Sequence, residues 1–250
     1  KAGDVILKID GESIRDVPVN KSVERMRGPT GSVVLLTIGR RGVADPFDVK
    51  VIRDVIKVPS VRSRELMDGY LWLRASQFQK DTGLEAIDIL QKALAEGALK
   101  GVVLDLRNNP GGVLGASVDM AGALLDGGLV VYTEGRHPQS KERFDASPGD
   151  MLEGAPVVVL INGGSASASE IVAGALQDRR RAVIMGTRSF GKGSVQTILP
   201  VSDTRAVKLT TALYYTPDGR SIQAEGIVPD IVVERAEVKS VESNRQTKEA

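Results

Sequence analysis

The sequence contains no cysteine and a single histidine among its 250 residues. The absence of cysteine excludes disulfide bonds, thiolate nucleophiles and cysteine-based zinc or iron–sulfur sites. The one histidine, His137, excludes a multi-histidine metal site within one chain, and its polar surroundings beside Pro138 are typical of a solvated loop. We therefore predict no metal and no other cofactor, and we expect any nucleophilic catalysis to use a base other than imidazole.

The sequence also lacks an excess of charge of either sign and a long apolar run. Lys and Arg total 33 against 32 for Asp and Glu, which gives a formal net charge of +1. This balance provides no general field for capturing nucleic acid or anionic lipid. No apolar run approaches the ~18 residues of a membrane-spanning helix, so we predict neither a nucleic-acid partner nor a transmembrane segment. The first residues resemble the middle of a domain, so an export signal would have to precede Lys1.

The chain changes character near Val58. Residues 1–58 predict a small β-rich module with one helix, over 17–27, and a strand that ends at the Asp10-Gly11 turn. From 59 onward, buried strands alternate with helices, which favours an α/β class with a sheet covered by helices. The predicted strands are 69–73, 101–106, 156–161, 182–185, 207–215 and 221–223, and the predicted helices are 82–97, 114–125 and 170–178. A capping box of Thr82 with Glu85 is expected to start the first of these helices. We expect the polar tail, 236–250, to be mobile or to lie against a partner.

The first candidate site is the small-residue turn 162–170, between a predicted strand and a predicted helix. A serine there could attack a carbonyl group while a backbone amide at the start of the helix stabilises the oxyanion. The alternating serines Ser165, Ser167 and Ser169 leave the identity of the nucleophile open. The same residues also match a capping box, which is a purely structural explanation.

The second candidate site, 186–196, resembles a phosphate-binding loop but departs from that pattern. Gly193 occupies the position of the metal-ligating hydroxyl group, and the β-branched residues that follow predict a strand rather than a helix. We therefore reject a nucleotide-binding role. Lys192 has another use: burial disfavours the ammonium form, and a neutral amine oriented by the amide oxygen of Gln196 could act as a base for a serine. The alternative is an ordinary solvated lysine.

The third candidate site is the turn 105–112, in which Gly111 and Gly112 expose backbone amides at the end of a strand. Such amides suit an oxyanion hole. Asp105 and Arg107 are expected to brace the loop as an ion pair or through hydrogen bonds. The pattern is also that of a simple turn.

Together these motifs closely resemble the carboxy-terminal processing proteases, which are also called tail-specific proteases. The resemblance rests on LDLRNNPGG at 104–112, SASASE at 165–170 and FGKGSVQ at 190–196, and it continues through KLTTA at 208–212 and GIVPD at 226–230. These motifs follow the order of the family, and the resemblance extends over residues 1–233.

The resemblance implies a serine–lysine mechanism and assigns a role to each matching residue. Ser167 corresponds to the nucleophile, Lys192 to the general base and Gln196 to the residue that orients the lysine. The oxyanion hole corresponds to the amide of Ala168 with one from Gly111 or Gly112.

The implied fold is a crotonase-like spiral of strands and helices, preceded by a partial PDZ domain that would bind a peptide terminus as an added strand. Residues 1–58 correspond to the later part of the PDZ domain, 59–235 to the protease core and 236–250 to the tail. The helix over 17–27 corresponds to the groove helix, and the first PDZ strands with their carboxylate-binding loop would precede Lys1.

The resemblance also implies protein or peptide substrates, a homo-oligomer, an activating adaptor protein, and a periplasmic or plastid-lumenal location. Two other functions stay open at this point. One is a peptide-binding scaffold without turnover, and the other is a crotonase-like enzyme that acts on acyl thioesters.

Overall fold

The computed structural model describes residues 3–55 and 59–234. It divides the chain into two compact units, Lys1–Val58 and Pro59–Ala250. The residues immediately before the predicted domain boundary, 56–58, and the predicted tail, 236–250, lie outside the described residues.

The first unit is a four-stranded antiparallel sheet with one helix. Its elements are β1 (Val5–Ile9), β2 (Glu12–Ser13), α1 (Val19–Met26), β3 (Val33–Gly39) and β4 (Phe47–Ile52). The strand order is β2-β1-β3-β4. Asp10 and Gly11 both adopt positive φ, which makes the tight turn between β1 and β2 that the sequence predicts.

Within residues 59–234, the second unit has ten strands, three α-helices and one short 3₁₀ helix. They are β5 (Val61–Met67), β6 (Tyr70–Ala75), α2 (Thr82–Glu96), β7 (Gly101–Asp105), α3 (Leu114–Gly122), β8 (Gly128–Glu134), the 3₁₀ helix (Pro138–Ser140), β9 (Glu142–Ala146), β10 (Val157–Ile161), α4 (Ala168–Asp178), β11 (Ala182–Gly186), β12 (Ser194–Ser202), β13 (Arg205–Tyr215) and β14 (Ile231–Val232). The α/β class predicted from the sequence is confirmed.

The central sheet of this unit is mostly parallel, in the order β14-β11-β10-β7-β6-β5. Adjacent strands from β14 to β6 run parallel, and β5 pairs antiparallel with β6 at the edge. A parallel sheet with both faces covered requires apolar strands, and Leu104, Val159 and Ile184 are completely buried. Helix α4 packs in the same core with nine of its eleven residues buried, from Ala168 to Leu176.

A second sheet, in the order β12-β13-β8-β9, contains a long hairpin made by β12 and β13. Residues 196–210 of the hairpin are exposed. Strand β12 begins at Ser194, which confirms the prediction that a strand rather than a helix follows Lys192. A phosphate-binding loop would be followed by a helix. Strands β2, β5, β8, β9 and β14 were not predicted from the sequence, and the predicted strand 221–223 is present only as an isolated bridge between Ser221 and Tyr215. Strand β5 is difficult to recognise because six of its seven residues are exposed and several are charged.

Two details of the predicted helices are wrong. Helix α3 ends at Gly122 rather than at Leu125. The capping box at Thr82 does not form, because α2 starts after Asp81 and the hydroxyl groups of Thr82 and Ser60 hydrogen-bond each other at 2.7 Å. Ser60 also donates to the Glu85 carboxylate at 3.0 Å. Both predicted capping side chains are therefore bound to a residue that precedes the helix by more than 20 positions.

The helices of the described ranges include none that combines the length and the apolar character needed to cross a membrane.

Candidate active site

Three loops meet at one edge of the parallel sheet. Strands β7, β10 and β11 are neighbours and run in the same direction, so the loops that follow them leave from the same side. These loops carry the three candidate sites of the sequence analysis. The carboxyl edge of a parallel sheet is the usual place for a ligand in such folds.

The geometry distinguishes the three alternating serines. Ser165 and Ser169 are completely buried, and their hydroxyl groups donate to the carbonyls of Leu106 at 2.8 Å and Asn109 at 2.9 Å. Ser167 is half-buried, and none of the described residues accepts a hydrogen bond from its hydroxyl group. Ser167 also adopts φ 55° and ψ −114° immediately before α4. Such a strained non-glycine backbone is typical of functional turns.

The glycine turn packs directly against the turn of Ser167. An added Cβ atom at Gly111 would lie 2.6 Å from the carbonyl oxygen of Ala166 and 2.8 Å from the Ser167 Cβ. Gly111 has φ 96°, so its position tolerates no other residue for reasons of both space and conformation. The contact places backbone amides of the glycine turn beside the Ser167 side chain.

The two glycines differ in the use of their amides. The Gly111 N–H donates to Asn109 Oδ1 at 2.9 Å. Gly112 pairs with Phe78 in an isolated parallel bridge, in which the N–H of Val113 and the carbonyl of Gly111 bond to Phe78. The Gly112 N–H consequently points away from Phe78, and within the described ranges it has no acceptor. The same holds for the N–H of Ala168, the first residue of α4.

Lys192 and Gln196 lie on the third loop and on the strand that continues it. The loop is joined to the serine turn by a hydrogen bond from the Phe190 N–H to the Ser165 carbonyl, at 2.9 Å. Both side chains are exposed, and neither has a hydrogen-bond partner among the residues that the structure describes. The sequence-based expectation of a buried lysine is therefore wrong for this structure. Phe190, which was expected to shelter the lysine, is 68% exposed.

A buried carboxylate, Glu170, connects the serine turn to the lysine loop. It is 0% exposed, and its Oε2 accepts hydrogen bonds from the N–H groups of Ser167 at 2.7 Å and Lys192 at 2.9 Å. Its Oε1 accepts from the Ser189 hydroxyl at 2.5 Å and the Gly191 N–H at 2.6 Å. Ser167 and Glu170 form the predicted capping box at the start of α4. The Glu170 side chain also binds the backbone N–H groups of both Ser167 and Lys192.

Asp105 anchors the start of the glycine turn, as the sequence predicts. Arg107 Nε and Nη2 bind its two carboxylate oxygens at 2.9 and 2.7 Å, and Arg74 adds a contact at 3.1 Å. Burial alone would raise the pKa of Asp105, but the hydrogen bonds from Arg107 and the positive charges of Arg107 and Arg74 together hold it below its ordinary value of 3.8. The ion pair has a bracing role, at the end of β7.

Sequence reasoning missed two connections at this site. Asn109 was treated as part of a turn, although it is completely buried and bonds the glycine turn to the serine turn. Glu170 was treated only as a capping residue. The spacing of Ser167 and Glu170 does predict the cap, but no local pattern indicates a bond from Glu170 to residues about 20 positions further along the chain.

Comparison with known proteins identifies the family. The model of peptidase family S41 matches residues 69–233, and the PDZ domain model matches residues 1–39. The chain belongs to peptidase family S41. It is 54% identical over 238 residues to a carboxy-terminal-processing protease of Bartonella bacilliformis, covering 94% of this chain and 54% of that protein. It is 40% identical over 239 residues to a carboxyl-terminal-processing protease of Synechocystis, covering 93% and 55% respectively.

A solved structure shows the same similarity. The structure of the photosystem II D1 C-terminal processing protease matches with a TM-score of 0.63 and 31% identity, over 93% of this chain and 63% of that chain. The chain spans about half the length of the curated relatives described above. The family resemblance predicted from the motifs is confirmed.

Proposed function

We propose that this chain carries the catalytic site of a serine endopeptidase of the carboxy-terminal processing type, which cleaves unstructured or C-terminal regions of protein substrates. Ser167 Oγ attacks the scissile carbonyl carbon, and its proton passes to the neutral amine of Lys192. The C–N bond then breaks, the leaving amine takes the proton from Lys192, and water hydrolyses the acyl-enzyme. The amides of Ala168 and Gly112 hold the oxyanion, and Gln196 orients Lys192.

The observation that carries the proposal is the environment of Ser167. Of the three alternating serines it alone has an uncommitted hydroxyl proton, and it lies on a strained turn that contacts the glycine turn. The amides of Ala168 and Gly112, which have no acceptor within residues 3–55 and 59–234, belong to these two turns. A nucleophile flanked by preorganised donors is the arrangement that acyl transfer requires.

Because Lys192 is exposed, we propose that the base is completed only when the site is covered. The main-chain N–H of Lys192 is already fixed to Glu170, so side-chain rotation and local loop adjustment, rather than a new fold, would bring the amine to Ser167. A bound polypeptide would exclude water from the amine and favour its neutral form. The proposed activity is therefore low until a substrate, or an activating adaptor, covers the loop.

The remaining assignments follow from the relatives and stay proposals. Residues 1–58 act as a partial PDZ domain that recognises a substrate terminus, 59–235 as the protease core and 236–250 as a tail. We further propose a periplasmic or lumenal location, since one relative is cyanobacterial and the matched structure is named for photosystem II. A homo-oligomer is proposed from the resemblance of the motifs to the family.

The test uses purified full-length protein, casein as an unfolded substrate, and a peptidyl fluorophosphonate probe, which covers the loop as a substrate would and labels activated serines. We expect Ser167→Ala to abolish both cleavage and labelling, and Lys192→Ala to reduce both at least 100-fold, on the order of a lost general base. The controls are Ser63→Ala and Lys50→Ala, which remove exposed side chains and should leave both readouts unchanged.

Full activity of either site variant would disprove the mechanism. Binding of casein without cleavage or an acyl adduct in the wild-type protein would instead indicate a peptide-binding scaffold. Turnover of an acyl thioester without proteolysis would favour the crotonase-like alternative.

A further inference from the structure

Asn109 has a set of contacts that a turn residue does not require. It is 0% exposed, and a buried carboxamide must find partners for its donor and acceptor groups. Its Nδ2 donates to the carbonyl of Ala75 at the end of β6, at 3.0 Å, and its Oδ1 accepts from Gly111. Since one partner is an acceptor and the other is a donor, the orientation of the amide is fixed by chemistry.

The main-chain carbonyl of Asn109 holds the other side of the site. It accepts hydrogen bonds from the N–H of Ala166 at 3.0 Å and from the hydroxyl of Ser169 at 2.9 Å. These two residues flank the turn of Ser167. Asn109 is thus hydrogen-bonded to a strand of the sheet, to the glycine turn and to both sides of the candidate nucleophile.

The side-chain contact also decides which amide is left for a substrate. By accepting the Gly111 N–H, Asn109 removes that donor from the site and leaves the N–H of Gly112. An added Cβ atom at Gly112 would lie 1.9 Å from the Phe78 carbonyl oxygen, so this residue is held tightly in its bridge. Asn109 is bonded to both turns, so its position sets the spacing between the Gly112 amide and the Ala168 amide.

We propose that Asn109 is the positioning residue of the oxyanion hole, which selects the amide of Gly112 over that of Gly111 and holds it in register with the amide of Ala168. This inference rests on the proposed peptidase function. It goes beyond that function by predicting a residue that touches neither substrate nor nucleophile but acts through both amide donors. A misplacement of about 1 Å in such a site can reduce the rate by about 100-fold.

The test compares Asn109→Ala with the wild-type protein on a fluorogenic peptide taken from a site that the wild type cleaves in casein. We expect kcat to fall about 10- to 100-fold, less than the ~10²–10³ for losing a donor outright, while KM changes less than about twofold. Affinity for a peptide aldehyde with the same sequence, whose adduct carries the oxyanion, should fall by the same factor as kcat/KM.

A second variant keeps the test valid if the alanine variant folds poorly. In Asn109→Asp, the carboxyl group keeps an acceptor for Gly111, and only its protonated form can donate to Ala75. The ratio of variant to wild-type kcat should therefore rise as the pH is lowered from about 8 to about 5, because burial favours the protonated form. The destabilised core variant Leu90→Ala, 2% exposed in the wild type, serves as the stability control.

The outcomes separate the two proposals. A wild-type protein that neither cleaves casein nor reacts with the fluorophosphonate probe overturns the peptidase function and this inference with it. An active wild type whose Asn109 variants keep kcat and aldehyde affinity, show a flat pH ratio, or lose activity only as Leu90→Ala does, overturns the role of Asn109 alone.

Discussion

The three serines at alternating positions of one turn have different structural roles, which depend on the hydrogen bonds that their hydroxyl groups make. Ser165 and Ser169 donate to backbone carbonyls of the neighbouring loop, so their hydroxyl groups hold the turn in place. Ser167, between them, takes the positive φ that the turn requires. The strain at Ser167 persists because its neighbours on both sides are fixed.

Glu170 is the residue on which the geometry between the serine turn and the lysine loop depends. Its carboxylate accepts four hydrogen bonds and has no cationic partner in the described part of the chain. Three of the four donors are backbone N–H groups, which cannot reverse their direction. Both oxygens of the side chain must therefore act as acceptors.

We predict that Glu170→Gln lowers the free energy of unfolding by about 1–3 kcal/mol, the usual penalty for one buried group without a partner. The amide NH₂ can be directed at the Ser189 hydroxyl, but the Gly191 N–H then loses its acceptor. Glu170→Ala removes all four acceptor contacts and should lower the stability further. Urea denaturation monitored by circular dichroism measures both effects.

The matched control is Glu225→Gln, because Glu225 is exposed and should tolerate the change. An unchanged midpoint for Glu170→Gln would contradict the prediction and show that the Gly191 N–H keeps an acceptor in the variant.

At the scale of elements, the close approach of α2 to α3 depends on one glycine. A Cβ atom at Gly83 in α2 would lie 2.7 Å from the carbonyl oxygen of Ala116 and 2.6 Å from the Cβ of Asp119, both in α3. Gly115 in α3 faces open space, with nothing within 4 Å of an added Cβ. Two glycines in neighbouring helices therefore have opposite roles.

We predict that Gly83→Ala destabilises the protein by about 1–3 kcal/mol, because the backbone of α3 cannot move aside without repacking. Gly115→Ala should instead stabilise it by roughly 0.5–1 kcal/mol through helix propensity. Thermal unfolding of the two variants beside the wild type should give shifts of opposite sign. Equal shifts in the unfolding temperature of the two variants would contradict the prediction, because they would show that the close contact between α2 and α3 does not restrict the residue at position 83.

At the scale of the whole molecule, the inventory of side chains limits the chemistry. The chain has no cysteine and one histidine. The described residues contain no cluster of three or more His, Asp or Glu residues suited to hold a metal ion. The chain thus has neither a thiol nucleophile nor a set of imidazole ligands.

We predict that proteolysis resists both iodoacetamide and EDTA and is abolished by a serine-reactive fluorophosphonate. The measurement is casein cleavage after incubation with each reagent, with a cysteine protease and a metalloprotease as controls for reagent quality. Loss of activity with EDTA, restored by a divalent cation, would contradict this prediction and indicate a metal-dependent step.

Much of this architecture follows from the sequence alone. Continuous apolar runs such as 157–161 predict buried strands, and the change of pattern near Val58 predicts two different regions of chain. Glycines and proline mark the turns, so the three candidate loops are visible in the sequence. The edge strand β5 was not predicted because it faces solvent and lacks a hydrophobic pattern. Strand β8 was not predicted either, although Leu129, Val130 and Val131 form a buried apolar run in it.

The sequence determined the residue types available for chemistry, the α/β class and the loops on which the candidate residues lie. Only the tertiary structure decided which serine keeps an uncommitted hydroxyl proton, which glycine amide stays unbonded, and that Lys192 is exposed rather than sheltered. These properties depend on partners such as Asn109 and Glu170, which bond to residues on other loops. Hydrogen bonds between segments far apart in the chain leave no periodic signal in the sequence, because packing of the parallel sheet brings the segments together.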